Sequence, residues 1–240
     1  MNKHALLYAL AAILLGAIGI WFHDFAMQWQ GVPKSIPAMP WAYVSGAILV
    51  AGGALILARR EKIGALVLAG FYGLWVVAFH LPATIMNAIG SIGAWNAPAE
   101  SGFITAGALA LLAAHVTARD QLMLAARLLA GASAVVFGFA HFNYIDFTAT
   151  MVPAWIPFKT FWAWATGAGH LLTGIALLTG IRARLAAACE AAMMGSFVVL
   201  LHLPRVIAAP DQHVEWIMLA ISSALTGAAL LVRKYATIGA

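Results

Sequence analysis

Of the eight histidines in this chain, five stand where an imidazole could do chemistry. His23, His80, His141 and His202 each close an apolar run, and His170 lies inside one. Imidazole titrates near neutral pH, hydrogen-bonds a carbonyl oxygen and accepts the proton released when a quinol is oxidised. A structural use competes with this one. His80 and His202 each precede a Leu-Pro pair, so both can simply close a helix and bond loop carbonyls. For His23 and His141 the two uses are evenly balanced. His170 favours function, because an imidazole in mid-membrane needs a reason to be there.

Tryptophan supplies the walls. Trp155, Trp162 and Trp164 fall between His141 and His170 in the chain. The candidate site is therefore a pocket lined by His141 and His170, with the three tryptophans at its mouth. His23, His80 and His202 are further candidate ligand-binding positions. A quinone or similar lipophilic carrier suits such a pocket. Two histidines from different helices could also hold haem, and copper stays open, but no HxxxH or CxxCH spacing asks for a metal. The single cysteine, Cys189, permits no disulfide or CxxC pair within one chain. Glu190 is expected to pair with Arg182, Arg184 or Arg127 near a helix end. His115 and His213 read as ordinary helix-end residues, and Trp75 with Met193-Met194 as packing.

The elements that must position these groups follow from composition. Hydrophobic residues make up 64% of the chain and charged residues 9%, against roughly a quarter charged in a soluble domain. Eight apolar runs can be drawn, at 5–22, 41–58, 63–80, 102–118, 122–141, 161–180, 185–202 and 214–232. Each is close to the ~20 residues that span a bilayer as a helix. Nothing alternates as a barrel strand would. The expectation is an all-α, polytopic membrane protein of eight transmembrane helices. The first run lacks an AxA site and is read as a retained helix, not a signal peptide.

Charge orients the bundle. Lys3, Arg59, Arg60, Lys62, Arg119, Arg127, Arg182, Arg184, Arg233 and Lys234 fall on one side, and only Lys34, Lys159 and Arg205 on the other. That asymmetry places both termini in the cytoplasm. Scattered in short loops, these cations give no surface for nucleic acid. Every tryptophan but Trp75 lies near the opposite, outer helix ends. Met27 and Trp29 suggest a short interfacial piece there, and 83–101 a long outer loop. His80 and His202 mark helix stops, at Pro82 and Pro204.

The chain also echoes itself at a spacing of about 120 residues. VPKSIP at 32–37 answers VPAWIP at 152–157, Gly46 and Gly53 answer Gly167 and Gly174, and FHLPATI from Phe79 answers LHLPRVI from Leu201. Two four-helix units, 1–121 and 122–240, are expected to enter the membrane from the same side.

A Gly/Ala-rich helix ending in His-Phe, then VPxxIP, then an aromatic-led helix with a TGxxxxxxG core and a short basic turn, resembles the DoxX family. The resemblance is best over 128–207 and weaker over 10–85, as in a tandem fusion of two such units. It implies a bacterial inner-membrane bundle associated with redox chemistry; some members of the family are subunits of a thiosulfate:quinone oxidoreductase. The family commonly has a glutamate where His170 stands, and the first half has Leu49 there, so the second half is the better candidate for a working site. A redox-associated subunit handling a quinone at its outer face, needing a membrane or periplasmic redox partner, is the leading expectation. The alternatives are a non-enzymatic anchor or assembly partner, a haem- or copper-binding bundle, or a transporter. No helix is visibly broken in mid-span, which argues against transport.

Overall fold

Backbone groups in lipid must be paired within their own segment, and every regular element among the described residues of the computed structural model (3–25, 32 and 35–235) is a helix. In chain order these are α1 (Lys3–Trp21), α2 (Ala38–Leu57), α3 (Glu61–Asn87), α4 (Asn96–Ala113), α5 (Arg119–Asn143), the short α6 (Ile145–Met151), α7 (Lys159–Thr179), α8 (Ala183–Ala208) and α9 (His213–Tyr235). Seven of them, all but α4 and α6, are long and apolar enough to cross a membrane. The chain is a multi-pass α-helical membrane protein. Met27, Trp29 and Lys34 lie outside the described residues, as does part of VPKSIP.

The fourth run differs from its expectation. Its helix begins at Asn96 and ends at Ala113, several residues earlier than 102–118, and carries Asn96, Glu100 and Ser101. It is not apolar enough to be counted among the spans, and packing explains why. Almost every residue from Pro98 to Ala113 is buried, so its surface meets protein and not lipid. The long outer loop also shrinks. α3 runs on to Asn87, a 3-10 turn occupies Ile92–Trp95, and α4 follows at once.

α4 and α9 pack against each other at the centre. α3 and α5 flank α4, α1 and α8 flank α9, and α2 and α7 complete the outer ring against α1 and α5 respectively. Large apolar side chains such as Leu66, Val77, Leu172 and Ile175 stay exposed on the outside, as a lipid-facing surface requires.

Close helix crossings set the register. A Cβ added at Gly46 on α2 would lie 2.6 Å from the Gly16 carbonyl oxygen of α1 and 2.7 Å from Ile20, and at Gly53 it would meet Ala9 and Ile13. The α5–α7 crossing has the same form. A Cβ at Gly167 would meet Phe142 at 2.7 Å, and one at Gly174 would meet Gly131 and Val135. Small residues let backbones approach this closely. By these contacts Ile20 matches Phe142, so the residue matching His141 is Gly19 and not His23. His23 lies beyond the end of α1 at φ 58° and bonds Tyr43 through Nδ1 at 2.7 Å.

The expected helix stops at Pro82 and Pro204 do not occur. A proline removes one backbone donor and its ring clashes with the carbonyl four residues earlier. Here the clash is absorbed by a π turn, at Val76–His80 in α3 and Val198–His202 in α8. The helices continue through Pro82 and Pro204 to Asn87 and Ala208. His80 and His202 are therefore internal residues of long helices, both buried, and cap nothing.

Candidate functional site

A half-open cavity of about 800 Å3 lies largely within the second half. α5 contributes Phe137, Ala140 and His141, α7 contributes Trp162, Ala165, Thr166 and His170, and α8 contributes Met193, Met194, Ser196, Phe197 and His202. The α6 region adds Tyr144, Phe147, Met151, Trp155 and Pro157. α4 adds Asn96 and Glu100 from the first half, and α9 adds Met218, Ser222 and Leu225. Such a chamber is mostly apolar and aromatic with a few polar groups, the ordinary form of a small-molecule site.

His170 and Glu190 carry the charge chemistry. His170 Nδ1 lies 2.7 Å from Glu190 Oε1, with the two side chains 1% and 0% exposed. Glu190 Oε2 is buried with no hydrogen-bond partner among the described residues. Glu190 does not line the cavity, whereas His170 does. The glutamate thus stands behind the histidine and holds it by one ring nitrogen. The other, Nε2, is the only polar atom His170 has left to offer the cavity.

His141 sits beside this pair, its ring centroid 4.8 Å from that of His170. Its Nδ1 lies 2.8 Å from the Phe137 carbonyl oxygen. A carbonyl only accepts, so Nδ1–H is the donor and Nε2 keeps its lone pair when the ring is neutral. Phe137 meets His170 edge-on at 5.6 Å and Phe197 lies at 6.4 Å. Apolar rings thus flank the His170 imidazole on two sides.

Glu190 overturns one expectation. Its partner is none of the three arginines, because eight residues of α8 place it a full two turns inside the bundle. Arg127 instead donates to the Leu177 carbonyl at 2.6 Å, at the C-terminal end of α7, where cations suit the helix dipole. Cys189, the neighbour of Glu190, points outward and is exposed.

Of the sequence candidates, His141, His170, His202, Trp155 and Trp162 line this one cavity. Trp164 does not. It points away and stacks on Phe142 at 5.1 Å, because two residues on from Trp162 is the far side of a helix. His23 and His80 belong to the first half and are not on the cavity; His80 packs near Trp75, at 5.9 Å. Glu100, Asn96 and the Met193-Met194 pair line the chamber although the sequence suggested loop or packing roles for them. No group of three His, Cys, Asp or Glu among the described residues could hold a metal ion. His213 stacks on Phe22 at 4.3 Å and His115 lies 3.4 Å from Glu61, both at helix ends as expected.

Fold and site together define a multi-pass helical membrane protein with a buried imidazole–carboxyl pair at the wall of an aromatic chamber. Residues 122–203 match the family model described as DoxX. The match runs from α5 into α8 and so contains His141, His170, Glu190 and His202. No curated protein and no solved structure matches the chain.

Proposed function

We propose that the protein is a redox-associated membrane subunit that binds the ring of a quinone-type lipophilic molecule in the second-half cavity. One observation carries this reading: the His170–Glu190 pair, buried and 2.7 Å apart, at the wall of a chamber of about 800 Å3 that also holds His141. Ring stacking on Trp155, Trp162, Phe137 and Phe197 suits a flat aromatic head. The imidazoles supply hydrogen bonds to its oxygens. The match of 122–203 to DoxX supports the same reading, since that resemblance implies redox chemistry in a bacterial inner membrane.

In this reading eight helices form two four-helix units, 1–121 and 122–240, entering from the same side. The arginine-rich turns face the cytoplasm and the cavity end faces outward. Electrons come from a partner subunit or from the substrate itself.

The test is co-purification. Gently solubilised protein is extracted with organic solvent, and quinone is quantified against protein by chromatography. About one quinone per chain is expected in the unaltered protein, with a loss of tenfold or more in His170→Leu. Equal quinone in both preparations, or none in either, overturns the reading.

A further inference from the structure

The hydrogens on the cavity histidines bear on which ligand oxygen the site selects, an inference that rests on the quinone-type reading above. His170 and Glu190 are enclosed by Phe137, Phe197 and the bundle interior, and among the described residues each is ion-paired with the other alone. A net charge in such a place is costly, whereas a pair sharing a proton is neutral as a whole. The proton between Nδ1 and Oε1 can then reside on either atom. In both arrangements the ring's other nitrogen carries a hydrogen: an imidazolium has both, and an imidazole that accepts at Nδ1 is protonated at Nε2. The unpartnered Glu190 Oε2 fits the arrangement with the proton on the carboxyl, since a carboxylate would leave a charged oxygen with no donor. His170 therefore presents a donor to the cavity. His141 presents the opposite. With Nδ1–H donated to the Phe137 carbonyl, its Nε2 is an acceptor.

We propose that the cavity recognises a hydroxyl on an aromatic ring by two opposed hydrogen bonds. His170 Nε2–H donates to the oxygen, and the hydroxyl's own hydrogen is donated to His141 Nε2. Glu190 is the positioning residue that keeps the hydrogen on His170. The two rings are neighbours at the cavity wall, with centroids 4.8 Å apart, so one head group can meet both. A quinone carbonyl keeps only the first of the two bonds, and a methyl ether likewise, so the hydroxyl form is held best. The first half has no such pair, because Gly19, Leu49 and Leu68 take the three matching positions.

The full-length protein in lipid nanodiscs tests this under anaerobic conditions, with three probes: a decyl-substituted hydroquinone, the corresponding benzoquinone and the hydroquinone dimethyl ether. The hydroquinone is expected to bind about tenfold more tightly than the ether, the equivalent of one lost hydrogen bond. His141→Phe should erase that preference while leaving ether binding in place. Glu190→Leu should weaken all three probes by a similar factor. Equal binding of hydroquinone and ether, a preference that survives His141→Phe, or unchanged binding in Glu190→Leu overturns the proposal while leaving the quinone-type reading standing. Failure of all three probes to bind the unaltered protein overturns both. A measurement without substitutions guards against a variant that fails to fold. Nitrogen-15 spectra of the histidines should show the hydrogen of His141 on Nδ1 and one on Nε2 of His170. A bare Nε2 on His170 also overturns it.

Discussion

The two sides of the bundle cross their helices in the same way yet fill the space between them differently. α1 meets α2 at Gly16 and Gly46 as α5 meets α7 at Gly138 and Gly167. α3 and α8 each carry a π turn ending in a buried histidine. Behind that shared frame the first half places Gly19, Leu49 and Leu68, with both leucines fully enclosed, and Trp75 packs against Phe25, Phe71 and Phe79. The second half places His141, His170 and Glu190 at the matching positions and leaves a chamber beside them. Glycine crossings and π turns belong to the scaffold, since both halves have them. The group of His141, His170 and Glu190 stands in one half alone among the matched positions.

The comparison breaks most completely if the halves do not share an orientation. Reporters placed in the 88–91 and 209–212 turns should read the same side of the membrane, and reporters at 58–60 and after Lys234 the other. Opposite readings from 88–91 and 209–212 would end the correspondence. A finer test converts the second half toward the first. His170→Leu alone leaves Glu190 buried without a partner and should cost about 3–5 kcal/mol. The double change His170→Leu with Glu190→Leu should recover most of it, because matched apolar groups replace both members. Thermal melts in one detergent measure both, and a double variant no more stable than the single one contradicts the pairing. The smallest effect concerns the crossings. Gly46→Ala forces its methyl against the Gly16 carbonyl oxygen, which cannot rotate away, and should cost about 1–3 kcal/mol. Gly167→Ala would bring its methyl to 2.7 Å from the Phe142 ring edge and 2.9 Å from His141 Cβ, and should cost a similar amount. Melting temperatures unchanged in both variants would show that the crossings are looser than their geometry implies.

Much of the frame was legible because lipid allows so few solutions. Apolar runs near 20 residues must be helices, and paired glycines mark where such helices touch. The fourth helix is hidden in the sequence for the converse reason. Wrapped by protein on all sides, it need not look apolar, and Asn96 and Glu100 disguised its start as loop. Pro82 and Pro204 read as stops because a sequence does not show a turn widened around a proline. His141 and His170 were legible as unusual polar groups. Their partner was not, because Glu190 sits eight residues from a basic turn, and linear distance made the arginines look nearer than a histidine on another helix. Composition groups Trp164 with its neighbours, whereas helical angle separates it from Trp162.

The π turns have a consequence for how these helices may be altered. Each holds about one residue more than an α-helical turn, so everything beyond it is rotated by roughly 100° from the course of an unbroken helix. The turn acts as a phase shifter between two stretches of α8, one aiming Glu190 and the other aiming His202. Deleting a single residue from 198–201 would hardly shorten the helix. It would turn His202 and Val206 out of their present alignment while leaving Glu190 and its contact with His170 in place.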